Sequence, residues 1–153
     1  MEKIVRQCII ENYQQYYRLA YSYVHNEQDA MDIVQEGVYR AIYYSHTLKK
    51  KEYVNTWIYR IMINESLNFI KKNKKETVDM AKITEGREDR YENIDLQRAL
   101  EKLGEPEGTI IRLRFFEDMK LEQIAQVLNQ NINTVKTKLY RSLKELKISM
   151  DIE

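Results

Sequence analysis

LEQIAQVLNQNINTVKTKLYRSLKEL, Leu121–Leu146, carries two helical patterns separated by a tight polar break. The spacing predicts a short helix over Leu121–Leu128, a turn, and a longer basic helix over Thr134–Lys147. Leu121, Ile124, Leu128, Val135 and Leu139 fall where a helix-turn-helix buries its core, and Ala125 is the small residue that two closely crossing helices need. Asn129 and Asn133 stand at turn positions where glycine is usual, and Asn tolerates a left-handed backbone. The second helix carries Lys136, Lys138, Arg141, Lys144 and Lys147 against only Glu145, while residues 94–153 as a whole balance to zero charge. A charge run alone reads as a solvated face. Joined to the Ala125 and Val135 spacing, it reads as a helix that meets phosphates in a major groove. Asn133, Thr134, Lys136, Thr137, Lys138 and Arg141 lie at the start of that helix, with Lys144 farther along.

The remainder of the 153-residue chain agrees with an all-α fold. Four Gly and one Pro leave little turn chemistry for a sandwich or barrel. The formal charge of +1 assigns no partner, so any signal lies in local clusters. A single cysteine, Cys8, excludes an internal disulfide and a cysteine-rich zinc site. His25 and His46 read as loop residues rather than a metal pair. No apolar run approaches the ~18 residues of a membrane span, and MEKIVRQC lacks a signal-peptide core. A soluble, largely helical protein without metal or cofactor is expected. Tyrosine is abundant, twelve against three Phe and one Trp, and Tyr13, Tyr16, Tyr17, Tyr21, Tyr23, Tyr39, Tyr43 and Tyr44 crowd the first 44 residues. The plain reading is a helical core whose phenol tips reach its wet edge. Aromatic platforms for single-stranded bases would need a basic surround, and the tyrosine count does not choose.

Upstream, Ile4, Cys8, Tyr13, Tyr17, Ala20 and Val24 approach helical spacing over residues 3–24. Asn26 followed by Asp29 resembles a capping box and starts a second helix to about Tyr44. Gly37 inside it costs about 1 kcal/mol against Ala, so tertiary packing must hold that turn. Ser45–Glu52 reads as a loop, and Val54–Lys72 as a third helix. From Asn73 to Asn93 apolar residues are sparse and charges crowd, as in a flexible linker. Helices over Ile94–Leu103 and Glu107–Phe116 precede the basic pair, Pro106 suiting a helix start. The chain thus divides into two small helical domains, 1–72 and 94–153, joined by a flexible linker, 73–93. At ~3.3–3.6 Å per residue that linker would reach well over one ~34 Å duplex turn.

Two further patterns bear on function. In DIVQE, Asp32–Glu36, the polar Asp32, Gln35 and Glu36 share a helix surface. With no His or Cys nearby, contacts to another protein explain this surface better than acid–base catalysis. WIYRIMIN, Trp57–Asn64, lies between Lys49–Lys51 and Lys71–Lys75. It suits a helix that holds a nucleic-acid backbone and stacks bases. It equally suits a core helix with Trp57 buried and lysines snorkelling.

In this order the patterns resemble the two-domain extracytoplasmic-function (ECF) sigma factors, group IV of the sigma-70 family of RNA polymerase sigma factors. YRLAYSYVHNEQDAMDIVQE looks like the family's region 2. WIYRIMINESLNFIKK looks like its W-L-Y-R-I-A-x-N stretch, and LRFFEDMKLEQIAQVLNQNINTVKTKLYRSLK looks like region 4. The resemblance implies a region 2 three-helix bundle and a region 4 helix-turn-helix. It implies that Asp32, Gln35 and Glu36 engage the β′ clamp helices of core RNA polymerase, with a second contact at the β flap. Lys49, Lys50, Lys51, Tyr53, Trp57, Arg60, Asn64 and Lys71 would contact the minus-10 element of promoter DNA. Asn133, Thr134, Lys136, Thr137, Lys138, Arg141 and Lys144 would contact the minus-35 element. It further implies a cytoplasmic, non-enzymatic factor for promoter-specific initiation in an envelope-stress response, held by a membrane-bound anti-sigma factor. FFEDMKLEQIAQ and NTVKTKLYR are most similar to the sigma-V-like members of low-GC Gram-positive bacteria. Gly37, Asn68 and Lys71 depart from the family's usual bulky residue, Asp and Arg. A freestanding helix-turn-helix regulator would leave DIVQE and WIYRIMIN without purpose, and a small enzyme would lack a nucleophile–base or metal constellation.

Overall fold

The computed structural model describes residues 1–76 and 88–151, and among them helices follow one another without a strand. Helices α1 (Glu2–Val24), α2 (Glu27–Tyr43) and α3 (Val54–Glu76) pack on one another as a three-helix bundle. Asn26 has extended backbone angles, and its side chain accepts the Asp29 N–H at 2.9 Å, so the expected cap forms. Gly37 sits where α2 meets α3: a Cβ there would run into Met62 Sδ. The close approach of the two helices is what holds the glycine turn.

The buried stripe of α1 differs from the expected one. Ile4 is 39% exposed, and Tyr13, Tyr17 and Val24 are half-buried; the buried residues are Val5, Cys8, Ile9, Tyr16, Leu19, Ala20 and Tyr23. The observed residues keep one face along the whole helix at about 3.6-residue spacing, whereas the expected set drifts toward its flank. Asn12 interrupts the helical backbone (φ −119°, ψ 15°), its amide donating to the Cys8 carbonyl at 2.9 Å, without moving that face. The Ser45–Glu52 segment contains two 3₁₀ turns, Ser45–Thr47 and Lys51–Tyr53.

The expected linker is shortened from both sides, because α3 continues to Glu76 and α4 begins at Glu88. The remaining residues of that expected linker, 77–87, lie outside the described part. Beyond them, α4 (Glu88–Leu103), α5 (Glu107–Ile111, continued by a π-helical turn over Arg112–Phe116) and α6 (Leu121–Leu128) gather round α7 (Ile132–Asp151). Glu105 starts α5 by accepting the Thr109 N–H at 3.0 Å and hydroxyl at 2.6 Å. Leu100, Ile110, Leu113, Ile124, Val135 and Leu139 fill this second core.

The two halves are packed together, α3 against α6 and α1 against the Arg112–Phe116 turn. Arg112, 3% exposed, lies over the Tyr23 ring at 4.1 Å and donates to the Ser22 carbonyl at 3.3 Å, with Glu105 at 3.5 Å. A buried guanidinium is tolerable only with such compensation. Nearby, the Tyr23 and Thr109 hydroxyls are hydrogen-bonded. Glu117 accepts from Arg18 at 2.8 Å and from the Tyr59 hydroxyl at 3.2 Å. Burial nevertheless pushes the Glu117 carboxyl above the usual range, the two donors only partly opposing it.

Candidate nucleic-acid interface

The helix-turn-helix forms from local causes. The backbone N–H of Lys120 donates to the Gln123 side chain at 3.1 Å at the start of α6. Ala125, 8% exposed, gives α7 room to cross. Asn129 takes the left-handed conformation its residue type permits (φ 52°, ψ 47°) and ends α6. Asn133 is not a turn residue: α7 already begins at Ile132, and the Asn133 N–H donates to the Asn131 side chain at 2.8 Å. Asn131 therefore does the turn chemistry expected of Asn133.

Val135, Leu139, Ser142 and Leu146 are buried and Lys138 and Leu143 half-buried, while Asn133, Thr134, Lys136, Thr137, Tyr140, Arg141 and Lys144 are exposed. Asn133, Thr134, Thr137, Lys138 and Arg141 line one shallow groove of about 300 Å³. Lys136 and Lys144 are exposed but stand outside it. The sequence-predicted set thus splits into a stripe that shares a groove and flanking cations. Thr137 Oγ1 donates back to the Asn133 carbonyl at 2.9 Å, keeping that stripe on regular helix.

On the other half, Trp57 and Asn64 line a cleft of about 370 Å³ together with Arg40, Tyr44, Thr47, Ile61, Glu65 and Asn68. Trp57 is half-buried at the cleft, so it serves packing and lining at once. Arg40 and Tyr44 were not expected there; both belong to the end of α2, and only the α2–α3 packing brings them to Trp57. Arg40 Nε bridges Glu65 at 2.7 Å and Glu36 at 3.2 Å beside the cleft. Burial pushes the Glu65 carboxyl up, with Arg40 opposing. Lys49, Lys50, Lys51 and Tyr53 are exposed on the turns before α3, and Lys71 is exposed near its other end. Arg60 is turned elsewhere: its guanidinium donates to the carbonyls of Val127 at 2.7 Å and Gln126 at 2.5 Å, at the end of α6. The Val127 carbonyl is one that a helix C-terminus leaves without an intrahelical donor, and the Gln126 carbonyl also accepts the Asn129 N–H at 3.2 Å.

Asp32, Gln35 and Glu36 are exposed on one side of α2, backed by the buried Ile33 and Val34. Gln28 donates to Asp32 at 3.0 Å, and Asp32 helps burial hold the Asp29 carboxyl above its usual range. Among the described residues no group of His, Cys, Asp and Glu could hold a metal, and no helix is long and apolar enough to cross a membrane.

The arrangement has close counterparts. Residues 8–76 match the family pattern Sigma-70 region 2, and residues 93–146 match Sigma-70, region 4. Over 152 residues the chain is 43% identical to the RNA polymerase sigma factor SigV of Bacillus subtilis (strain 168), covering 95% of this chain and 90% of that one. It is 28% identical over 150 residues to the ECF RNA polymerase sigma factor SigW of the same organism, covering 86% and 80%. CnrH, solved with the cytosolic domain of CnrY, has the same fold (TM-score 0.76, 19% identity, covering 97% and 88%). So does the sigma factor RpoE of Bartonella quintana, solved with the anti-sigma factor NepR (TM-score 0.68, 18% identity, covering 97% of each). Two ordered sigma regions, helical throughout the described residues, and a relative at this identity over nearly the whole chain place it: this protein belongs to the sigma-70 family and is an ECF-type RNA polymerase sigma factor, a non-enzymatic factor of transcription initiation.

Proposed function

We propose that the chain binds core RNA polymerase and directs it to promoters by reading a minus-35 element with α7 and a minus-10 element with the Ser45–Tyr53 turns and α3. The observation that carries this reading is the α7 groove. Asn133, Thr134, Thr137, Lys138 and Arg141 form one stripe on the first turns of a helix whose opposite side is core. That is the part of a recognition helix that meets base edges. Lys136 and Lys144 add phosphate contacts that position the helix without reading sequence.

Downstream, the Trp57 cleft offers an aromatic wall and polar groups to an extruded base. Unstacking costs a few kcal/mol, which the fitted cleft must return. Lys49, Lys50, Lys51, Tyr53 and Lys71 hold the neighbouring backbone. Asp32, Gln35 and Glu36 meet the polymerase β′ clamp helices, and the helix-turn-helix half meets the β flap. Such a factor acts in the cytoplasm, serves an envelope-stress response, and is restrained by a membrane-bound anti-sigma factor. The SigV and SigW likenesses and the anti-sigma partner named for the RpoE structure support this assignment. Run-off transcription with purified core polymerase tests it. The chain should confer initiation at a selected promoter that core alone ignores, and no transcript above core alone would overturn it.

A further inference from the structure

Thr137 stands at the centre of the α7 groove. Asn133 and Thr134 lie one turn before it, Lys138 beside it and Arg141 one turn after it, and these five residues line the groove together. Asn133, Lys138 and Arg141 end in hydrogen-bonding groups of the kind that address adenine or guanine edges. Thr137 is in another state. Its Oγ1 donates back to the Asn133 carbonyl at 2.9 Å, which commits the hydroxyl proton within the helix. Threonine is branched at Cβ, so a hydroxyl held in one staggered position fixes the methyl in another. Thr137 is exposed, and its methyl is thus a fixed apolar group in the middle of a polar stripe.

The base edges offer one match for such a group. In the major groove adenine, guanine and cytosine present only donors and acceptors, whereas thymine adds its C5-methyl. A donor bond from Thr137 to a base acceptor would have to break the bond to Asn133. A methyl-to-methyl contact leaves that bond in place and removes two apolar groups from water.

We infer that Thr137 is a specificity-determining residue that reads the C5-methyl of one thymine in the upstream promoter element. The inference rests on the minus-35 reading above and deepens it by naming the base group recognised. Thr137 and Arg141 are about 6 Å apart along the helix axis, and base pairs follow one another at ~3.4 Å. The thymine therefore falls within about two base-pair steps of the pair at which Arg141→Ala relaxes discrimination.

The test uses the full chain assembled with core RNA polymerase and a promoter fragment obtained by selection with that holoenzyme. Each thymine of the upstream element, on either strand, is replaced in turn by deoxyuridine, which removes the methyl and keeps pairing and the O4 acceptor. At one position the replacement should weaken binding about fourfold, the value of one buried methyl. Thr137→Ser keeps the hydroxyl and removes the methyl, and should bind the thymine and deoxyuridine fragments alike. Thr137→Val keeps a methyl and removes the hydroxyl, and should retain the preference. The side chain is exposed, so helicity and melting should be unchanged in both variants. A flat deoxyuridine scan in the wild type, with Arg141→Ala still relaxing discrimination, would overturn the methyl contact and leave the minus-35 reading intact. A preference that persists in Thr137→Ser would assign the methyl to another residue, and one lost in Thr137→Val would assign the reading to the hydroxyl; either overturns the inference. Binding indifferent to every base change in the element and to Arg141→Ala would overturn both readings.

Discussion

The α7 face and the α3 face use similar residues in opposite states. On α7, Lys136, Arg141 and Lys144 point into solvent, and among the described residues none pairs with an acid. On α3, Arg60 is spent on the other half of the same molecule, donating to Gln126 and Val127. The packed form thus leaves the helix proposed to read duplex DNA accessible, whereas Arg60 would be free for the proposed minus-10 contact only after α6 leaves it. Interdomain packing and the proposed minus-10 contact compete for one guanidinium. The competition is asymmetric, because the end of α6 that holds Arg60 lies outside the α7 groove.

The largest effect expected is on a third face, α2, through which both others would reach a promoter. Asp32→Lys combined with Glu36→Lys should lower affinity for core polymerase on the order of 100-fold. Folding should change by no more than about 0.5 kcal/mol, because both side chains are exposed. Retained affinity in a binding titration would remove the polymerase surface from the argument.

The α7 face can be split next. Arg141→Ala, which empties the groove of its guanidinium, should relax discrimination at particular upstream base pairs by about 1–3 kcal/mol. Lys144→Ala should weaken binding equally across sequences and reduce the salt slope by about one. A common factor of loss on matched and scrambled elements would make both phosphate anchors.

For the α3 face, Arg60→Ala should shift the molecule toward separated halves, since each hydrogen bond from a charged donor contributes about 1.5–3 kcal/mol before solvent competes for it. Energy transfer between dyes on α2 and α7 should fall in this variant and stay unchanged in Lys136→Ala. Equal transfer in both would mean that the other interdomain contacts suffice.

Gly37→Ala isolates the bundle. Driving a Cβ into Met62 should cost about 1–2 kcal/mol in denaturant melts, overpacking outweighing the helix-propensity gain. The smallest effect concerns pH. Burial, and then Arg112 of the other half, hold His25 below its ordinary value of 6.5, Glu101 opposing. The packed form therefore binds fewer protons, so its full stability is present above pH 6.5 and declines as pH falls toward the depressed value. His25→Asn suits the left-handed backbone (φ 50°) and should flatten this decline below pH 6.5. An identical pH profile in wild type and variant would place the sensitivity elsewhere.

By itself the sequence determined what depends on neighbours along the chain. The helix limits Leu121–Leu128, the Asn26 cap, the left-handed Asn129 and the basic outward side of α7 all follow from spacing, capping chemistry and residue type, which act within a few positions. Even the need to support Gly37 was legible, though its partner Met62 was not. Tertiary structure alone decided which tyrosines are core and which form a surface. It also joined Arg40 and Tyr44 to the Trp57 cleft and turned Arg60 away from it. Arg60–Val127, Arg18–Glu117 and Tyr23–Thr109 join residues 67, 99 and 86 positions apart. No periodicity records such pairs, because the energy of a long-range contact depends on where whole helices come to rest, while the pattern of one helix reports only that some face of it is covered.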